Sequence, residues 1–305
     1  MKSVIEIVRA EMLKEWHANN EARKSHTPRF HDSDAGKCLR QRVVKRARLV
    51  EPMPPLEDGL MVMEIGSLVH EAIQKRLISA GAVPVEDVEI VDRDEHTSGR
   101  SDFIMDMSDE VSPDAGFFLH ELKTTAHSAF KFLEIEGVKH GHKLQAIRGW
   151  IKMKKKEKYK NLRGIIITYI SREYGNVKSF GIIPTDDLIA ECLADIAAEE
   201  AAWGTYQETK ELPPEIAILE PYTVAGVKYE KKAKNAWECI YCSFYKACAP
   251  VKALVAKDSP ERDFQFWNKI KKPPVVKAAP KKKLTPSEVK KVVDAAFDGM
   301  EVKCD

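Results

Sequence analysis

The nine residues from Arg163 to Ser171, RGIIITYIS, constrain the fold more than any other stretch of the chain. They form a continuous apolar, β-branched run with no alternation of polar positions. A strand of that kind has no face to offer water, so it reads as a buried strand of a covered sheet. Its neighbours supply the cover. Ile5, Val8, Met12 and Trp16 recur at helical spacing. Ser33 is a suitable N-cap for a basic helix, DAGKCLRQRVVKRARLV, which the Pro-rich EPMPPLEDG breaks. In MEIGSLVHEAIQKRLISAG, the residues Ile65, Leu68, Val69, Ala72, Ile73 and Leu77 make an apolar stripe, and Gly81 is a C-terminal stop. Further strands are expected at Val88–Val91, Ser101–Met107, Phe117–Thr125 and near Val177–Ile183. KLQAIRGWIKMKKKEKY returns to helix, and an Ala-rich helix runs from Thr185 to about Glu208. The order predicts a mixed α/β core wrapped by helices.

Of the 305 residues, 44% are hydrophobic and 31% charged, enough for a sizeable core and too apolar for global disorder. No apolar run approaches a membrane span, and the acids within the N-terminal apolar stretch argue against a secretory signal. A cytoplasmic setting is expected, with thiols or metal ligands rather than disulfides. The net charge of +2 names no partner, but KMKKKEKYKNLR (152–163) holds seven basic residues and one acid. KIKKPPVVKAAPKKK (269–283) holds seven lysines and no acid. Such runs are ordinarily solvated, and both would suit a polyanion. The expected organisation is an N-terminal helical segment at 1–32, a main domain at 33–250, a Lys/Pro linker at 251–284 and a short C-terminal helix or tail at 285–305.

The run FFLHELKTT, Phe117 to Thr125, places an acid and a base within a buried-looking strand. Alternation puts Glu121, Lys123 and Thr125 on one face. Alone, such a pair is most often a surface or cross-strand ion pair. Upstream, SGRSDFIMDM carries Asp102 at the start of the preceding strand, with Gly99 marking a turn. A meander would bring Asp102 beside Glu121. Two neighbouring carboxylates repel unless a cation sits between them, and Mg²⁺ or Mn²⁺ prefers such oxygens. A metal and a lysine together suit phosphodiester hydrolysis. His70 follows Gly66 by four residues, and Gly66 permits close approach of another element; Gln145 lies on the next helix.

Near the end of the main domain, WECIYCSFYKAC gives Cys239, Cys242 and Cys248, and Cys38 lies far upstream. Buried free thiols are one reading; ligation of Zn²⁺ or a [4Fe–4S] cluster by four thiolates is the stronger one. Cys192 and Cys304 are left over. A cluster would close a loop of about two hundred residues and link metal binding to folding.

The ordered set GSLVH, GRSD, ELK and QAIRGW resembles the PD-(D/E)XK nuclease superfamily, in its RecB-like branch, over about residues 33–250. The resemblance implies a restriction-endonuclease-like mixed central sheet flanked by helices. It implies His70, Asp102, Glu121 and the Leu122 carbonyl as metal ligands, Lys123 as the catalytic lysine, and Gln145 in support of the site or the DNA end. One departure is Gly149, where the family often has Tyr; Trp150 is adjacent. Nucleases of the AddB type and the CRISPR-associated four-cysteine type place one cysteine before the core and three after it. By that likeness, Cys38, Cys239, Cys242 and Cys248 would hold a [4Fe–4S] staple, with Zn²⁺ the alternative. The implied activity is a Mg²⁺- or Mn²⁺-dependent DNA exonuclease acting on single strands or DNA ends in recombination, repair, replication or phage DNA metabolism, in a bacterium or phage-infected host. Arg40, Arg42, Lys143, Arg148, Lys154, Lys155 and Lys156 are candidate DNA contacts. With no helicase motif in the chain, unwinding would need a helicase, and a recombinase or single-strand-binding protein are other expected partners. The competing reading is a non-catalytic DNA-binding or zinc-binding interaction module with a degenerate nuclease fold.

Overall fold

The computed structural model describes residues 4–55, 57–94, 96–108 and 116–216, two strands at 219–224 and 227–233, and Cys239, Cys242–Phe244, Ala247 and Cys248. The expected linker, the C-terminal helix and Cys304 lie outside the described residues. Two compact units are present: residues 1–219 with 233–253, and residues 220–232 with 254–305. In the second, the described residues belong to a two-stranded sheet, β7 (Leu219–Val224) and β8 (Val227–Ala233).

The first unit is a mixed α/β fold with a central mixed sheet flanked by helices. In chain order it contains α1 (Val4–Lys24), β1 (Phe30–His31), α2 (Leu39–Ala47), α3 (Glu57–Ser79), β2 (Val88–Arg93), β3 (Thr97–Asp106), β4 (Phe117–Thr125), α4 (His127–Glu136), α5 (His140–Lys154), β5 (Leu162–Ser171), β6 (Val177–Ile182) and α6 (Asp186–Thr209). The sheet order is β1-β3-β4-β5-β6, with β2 also paired to β3. β2, β3 and β4 run antiparallel in turn, and β5 and β6 are antiparallel. β4 and β5 are parallel, joined by a crossover that carries α4 and α5. The apolar run of β5 is therefore interior to the sheet, between β4 and the edge strand β6. Ile165, Ile167 and Tyr169 are wholly buried in the main core with Leu119, Leu144, Ile147 and Met153.

The basic helix begins later than its cap-like Ser33 predicts. Asp32–Asp34 form a 3-10 turn, Gly36 takes a left-handed φ of 70°, and α2 starts at Leu39 with Cys38 as N-cap. The α3 stripe is narrower than its periodicity predicts. Ile73 and Leu77 pack on a small cluster of Val83, Phe103 and Leu122, whereas Ile65 and Leu68 are exposed. Helix α4 has no counterpart in the sequence reading.

Candidate active site

The register Phe103 opposite His120 is the last β3–β4 pair at this end of the ladder. Beyond it, the Leu122 N–H donates to Asp102 Oδ2 at 2.6 Å, so a side chain replaces a ladder bond where the site begins. Asp102 and Glu121 thus stand on neighbouring strands, as the meander requires. Helix α3 crosses β4 at Gly66, where a Cβ would lie 3.2 Å from Thr124 Oγ1. One turn on, His70 Nδ1 lies 3.2 Å from Asp102 Oδ1, and a turn further Gln74 Nε2 donates to the Asp102 carbonyl at 3.2 Å. On the other side, Lys123 Nζ donates to Glu121 Oε1 at 2.6 Å and to Gln145 Oε1 at 3.0 Å, while Gln145 Nε2 donates to the same Glu121 oxygen at 2.6 Å. The five side chains expected from the sequence therefore meet in one place, drawn from α3, β3, β4 and α5.

The electrostatics follow from burial. Asp102 and Glu121 are both buried. Burial pushes the Glu121 carboxyl up to about 7; Lys123 opposes this and Asp102 adds to it. His70 is raised by its hydrogen bond to Asp102, against the effect of burial. The donor set, one imidazole, two carboxylates and a nearby carbonyl at Leu122, has the chemistry a hard divalent ion takes. In the arrangement present, these oxygens are turned to hydrogen-bond partners: among the described residues, no group of three His, Cys, Asp or Glu side chains is placed to hold an ion.

Gly149 packs α5 closely on β3: a Cβ there would stand 3.0 Å from Ser101 Oγ and 3.4 Å from Leu119 Cδ1. The adjacent Trp150 is partly buried and packs against the main core.

The candidate DNA contacts divide. Arg42 and Arg148 are buried and cannot face a phosphate. Arg42 pairs with Asp195 at 2.9 Å and Glu199 at 2.7 Å; Arg148 pairs with the same two at 2.5 and 2.9 Å. This network ties α2 and α5 to α6. Arg40 is also committed internally, donating to the Pro213 and Ala247 carbonyls, both at 2.9 Å. Lys143 is half-buried, Lys155 is exposed, Lys154 is exposed with its Nζ donating to the Leu162 carbonyl at 3.0 Å, and Lys156 lies 3.9 Å from Asp92. Lys152, in the same basic run, is buried against Asp32 with both contacts at 2.9 Å.

Ser243, Ala247 and Cys248 lie against the region of Cys38. Besides the Arg40–Ala247 bond, the Met53 N–H donates to the Ser243 carbonyl at 2.8 Å, and the Phe244 N–H to Cys242 Sγ at 3.4 Å. Burial pushes the Cys248 thiol up; Arg40 opposes this, and nearby Cys38 adds to it. Cys192 is buried between α6 and α5, with its thiol donating to the Leu144 carbonyl.

Two residues beside the site escaped the sequence reading. Tyr169 of β5 is the strand partner of Lys123, and its hydroxyl lies 2.9 Å from His142 Nδ1. His142 sits three residues before Gln145, a helical neighbour spacing that could have marked it.

The fold and site together describe a sheet-based α/β domain with a buried acid, acid and lysine cluster at a strand end. No protein-family model and no curated protein matches the chain. Among solved structures it is similar to a protein designated SSO0001, with 16% identity, 81% of this chain and 97% of that one covered, and a TM-score of 0.46. It is also similar to an alkaline exonuclease, LHK-Exo, from Laribacter hongkongensis, with 13% identity, coverage of 65% and 97%, and a TM-score of 0.43. The same enzyme in complex with dAMP gives 12% identity, coverage of 60% and 93%, and a TM-score of 0.41. These likenesses are distant, and the functional reading rests on the residues of the site. Among the described residues, no helix is long and apolar enough to cross a membrane.

Proposed function

We propose that the chain is a Mg²⁺- or Mn²⁺-dependent DNA exonuclease that hydrolyses phosphodiester bonds on single strands or DNA ends. The observation that carries this reading is the buried Asp102–Glu121 pair, with Lys123 and Gln145 both bonded to Glu121. A buried pair of carboxylates is costly, and a fold that assembles one next to an oriented ammonium has a use for a cation and an anion there. Asp102, Glu121, His70 and the Leu122 carbonyl would hold the ion. When bound, the ion would supply Lewis acidity toward the phosphate and a water of lowered pKa. Lys123 is the donor that offsets charge developing on the phosphate oxygens and orients the attacking water. Gln145 holds Lys123 and Glu121 in register, and Gln74 fixes the strand that carries Asp102.

Cys38, Cys239, Cys242 and Cys248 would hold a [4Fe–4S] cluster, with Zn²⁺ as the alternative, in a structural role. Iron, sulfide and zinc content of anaerobically purified protein separates the two. Exposed Lys155 and half-buried Lys143 are the candidate basic residues left to contact DNA.

The test is cleavage of end-labelled linear and closed circular single-stranded DNA with Mn²⁺ or EDTA. The expected result is loss of linear but not circular DNA, abolished by EDTA and reduced by Lys123→Ala. A folded, metal-loaded protein that cuts no substrate would refute the reading and leave a binding module.

A further inference from the structure

The hydrogen bonds around Gln145 do not end at Gln145. Helix α5 begins at His140 with Lys139 as its N-cap residue, and the Lys139 N–H donates to the Tyr169 hydroxyl at 3.2 Å. That hydroxyl also meets His142 Nδ1 at 2.9 Å. Tyr169 is wholly buried, with its ring edge-on to Phe180 and tilted against His142. It is fixed to β5, and β5 is paired residue for residue with β4, so Tyr169 stands opposite Lys123. One strand pair thus carries both Lys123 and the anchor of the helix whose Gln145 binds Lys123.

We infer that Tyr169, acting through His142 and the first turn of α5, is a positioning residue that sets Gln145 between Glu121 and Lys123. The inference rests on the exonuclease reading for its kinetic consequence, though not for its geometry. A hydroxyl that accepts the Lys139 N–H keeps its own proton to donate, and Nδ1 of His142 is the acceptor in reach. The imidazole is then neutral, with its proton on Nε2. Burial favours the same state, holding His142 down at about 3, and the charges of Lys123, Lys139 and Lys37 add to it. A neutral ring here leaves Lys123 unrepelled and free to bond Gln145. The rest of α5 is held by the core packing of Leu144, Ile147 and Met153 and by the pairs of Arg148 and Lys152; the two contacts fix its first turn, one turn before Gln145. Losing them releases that first turn and with it the placement of the Gln145 side chain, and misplacement by about 1 Å near a catalytic group can cost about 10²-fold in rate.

The experiment compares wild type, Tyr169→Phe, Gln145→Ala and the double variant of the full chain. The kinetic readout is the saturating rate and KM on linear single-stranded DNA with Mn²⁺. The second readout needs no activity: the side-chain amide resonances of Gln145 in ¹⁵N-labelled protein free of Mg²⁺ and Mn²⁺ but keeping whatever metal its cysteines hold, and their exchange with water. Expected are a saturating rate lowered by about 10- to 100-fold in Tyr169→Phe with KM little changed, and a double variant no slower than Gln145→Ala alone. The Gln145 amide should move to the position and fast exchange of a free amide in Tyr169→Phe. An unmoved amide overturns the inference, as does a wild-type rate in Tyr169→Phe or losses that multiply in the double variant. If wild type cuts no DNA while the amide responds as expected, the exonuclease reading fails and the positioning stands. Should Tyr169→Phe fail to fold, His142→Leu, which removes the imidazole and keeps the Lys139–Tyr169 bond, carries the same expectations.

Discussion

Gly99 lies within strand β3, opposite Asp92 of β2, and the reason for a glycine there is space. A Cβ at this position would stand 1.9 Å from Asp32 Oδ2, 2.7 Å from its Cγ and 3.1 Å from its Cβ. Gly99→Ala therefore cannot leave Asp32 where it is. Asp32 cannot move freely either, because both its oxygens hold Lys152 Nζ at 2.9 Å and both residues are buried. Separating a buried pair and stranding one partner costs about 3–5 kcal/mol. Replacing a strand glycine returns about 0.5–1 kcal/mol through the unfolded chain. The net expectation is a loss of roughly 2–4 kcal/mol, and at about 2–4 °C per kcal/mol a melting temperature lower by about 5–15 °C. The assay is a thermal or urea melt of wild type, Gly99→Ala, Asp32→Ala and the double variant. In the Asp32→Ala background the two closest atoms are gone, so Gly99→Ala should cost little, and the cycle should show a coupling of about 2 kcal/mol or more. Wild-type stability in Gly99→Ala, or the same cost in both backgrounds, would refute the argument that Asp32 occupies the space a side chain needs.

Lys123→Ala should lower the saturating cleavage rate by about 10²- to 10³-fold with DNA affinity largely kept, measured by single-turnover cleavage beside a binding titration. Arg148→Met leaves Arg42 as the one remaining guanidinium bonded to both Glu199 and Asp195, and should cost about 1.5–3 kcal/mol by urea denaturation; full stability would show that Arg42 alone satisfies the two carboxylates. Burial raises the Asp34 carboxyl, but Lys45 and Lys37 outweigh it and hold it well below the usual range. Its folded pKa is depressed, so the stabilisation is present above the ordinary carboxylate pKa near 3.8 and is lost as pH falls below it. Asp34→Asn should thus cost roughly 2 kcal/mol at pH 7, with the gap to wild type closing in melts taken at progressively lower pH. Replacing Lys143 and Lys155 together by Ala should weaken DNA binding evenly across sequences and flatten its salt dependence.

How much of this was legible in the sequence depended on the distance over which each cause acts. β5 announced itself because six consecutive residues, Ile165 to Ile170, are all β-branched or aromatic. The order His70, Asp102, Glu121, Lys123 and Gln145 was legible as a set, and the structure places the five together. Gly66 was read correctly as a point of close approach, because glycine has few other uses inside a helix. Gly99 was misread as a turn: the residue that excludes its side chain, Asp32, is far away in sequence. The same limit explains the basic residues. Arg42, Arg148 and Lys152 look in sequence like the charges around them, and their burial is decided by Asp195, Glu199 and Asp32, which lie 47 to 157 residues away. A sequence shows that an arginine is charged and does not show which carboxylate has already claimed it. The exposed Ile65 and Leu68 make the converse point, since α3 obeys its period but meets its neighbours over only part of its length. Tyr169 joins both cases. Its ring was legible as core, and its hydroxyl became visible only once β5 stood beside β4, with α5 resting its first turn on the oxygen.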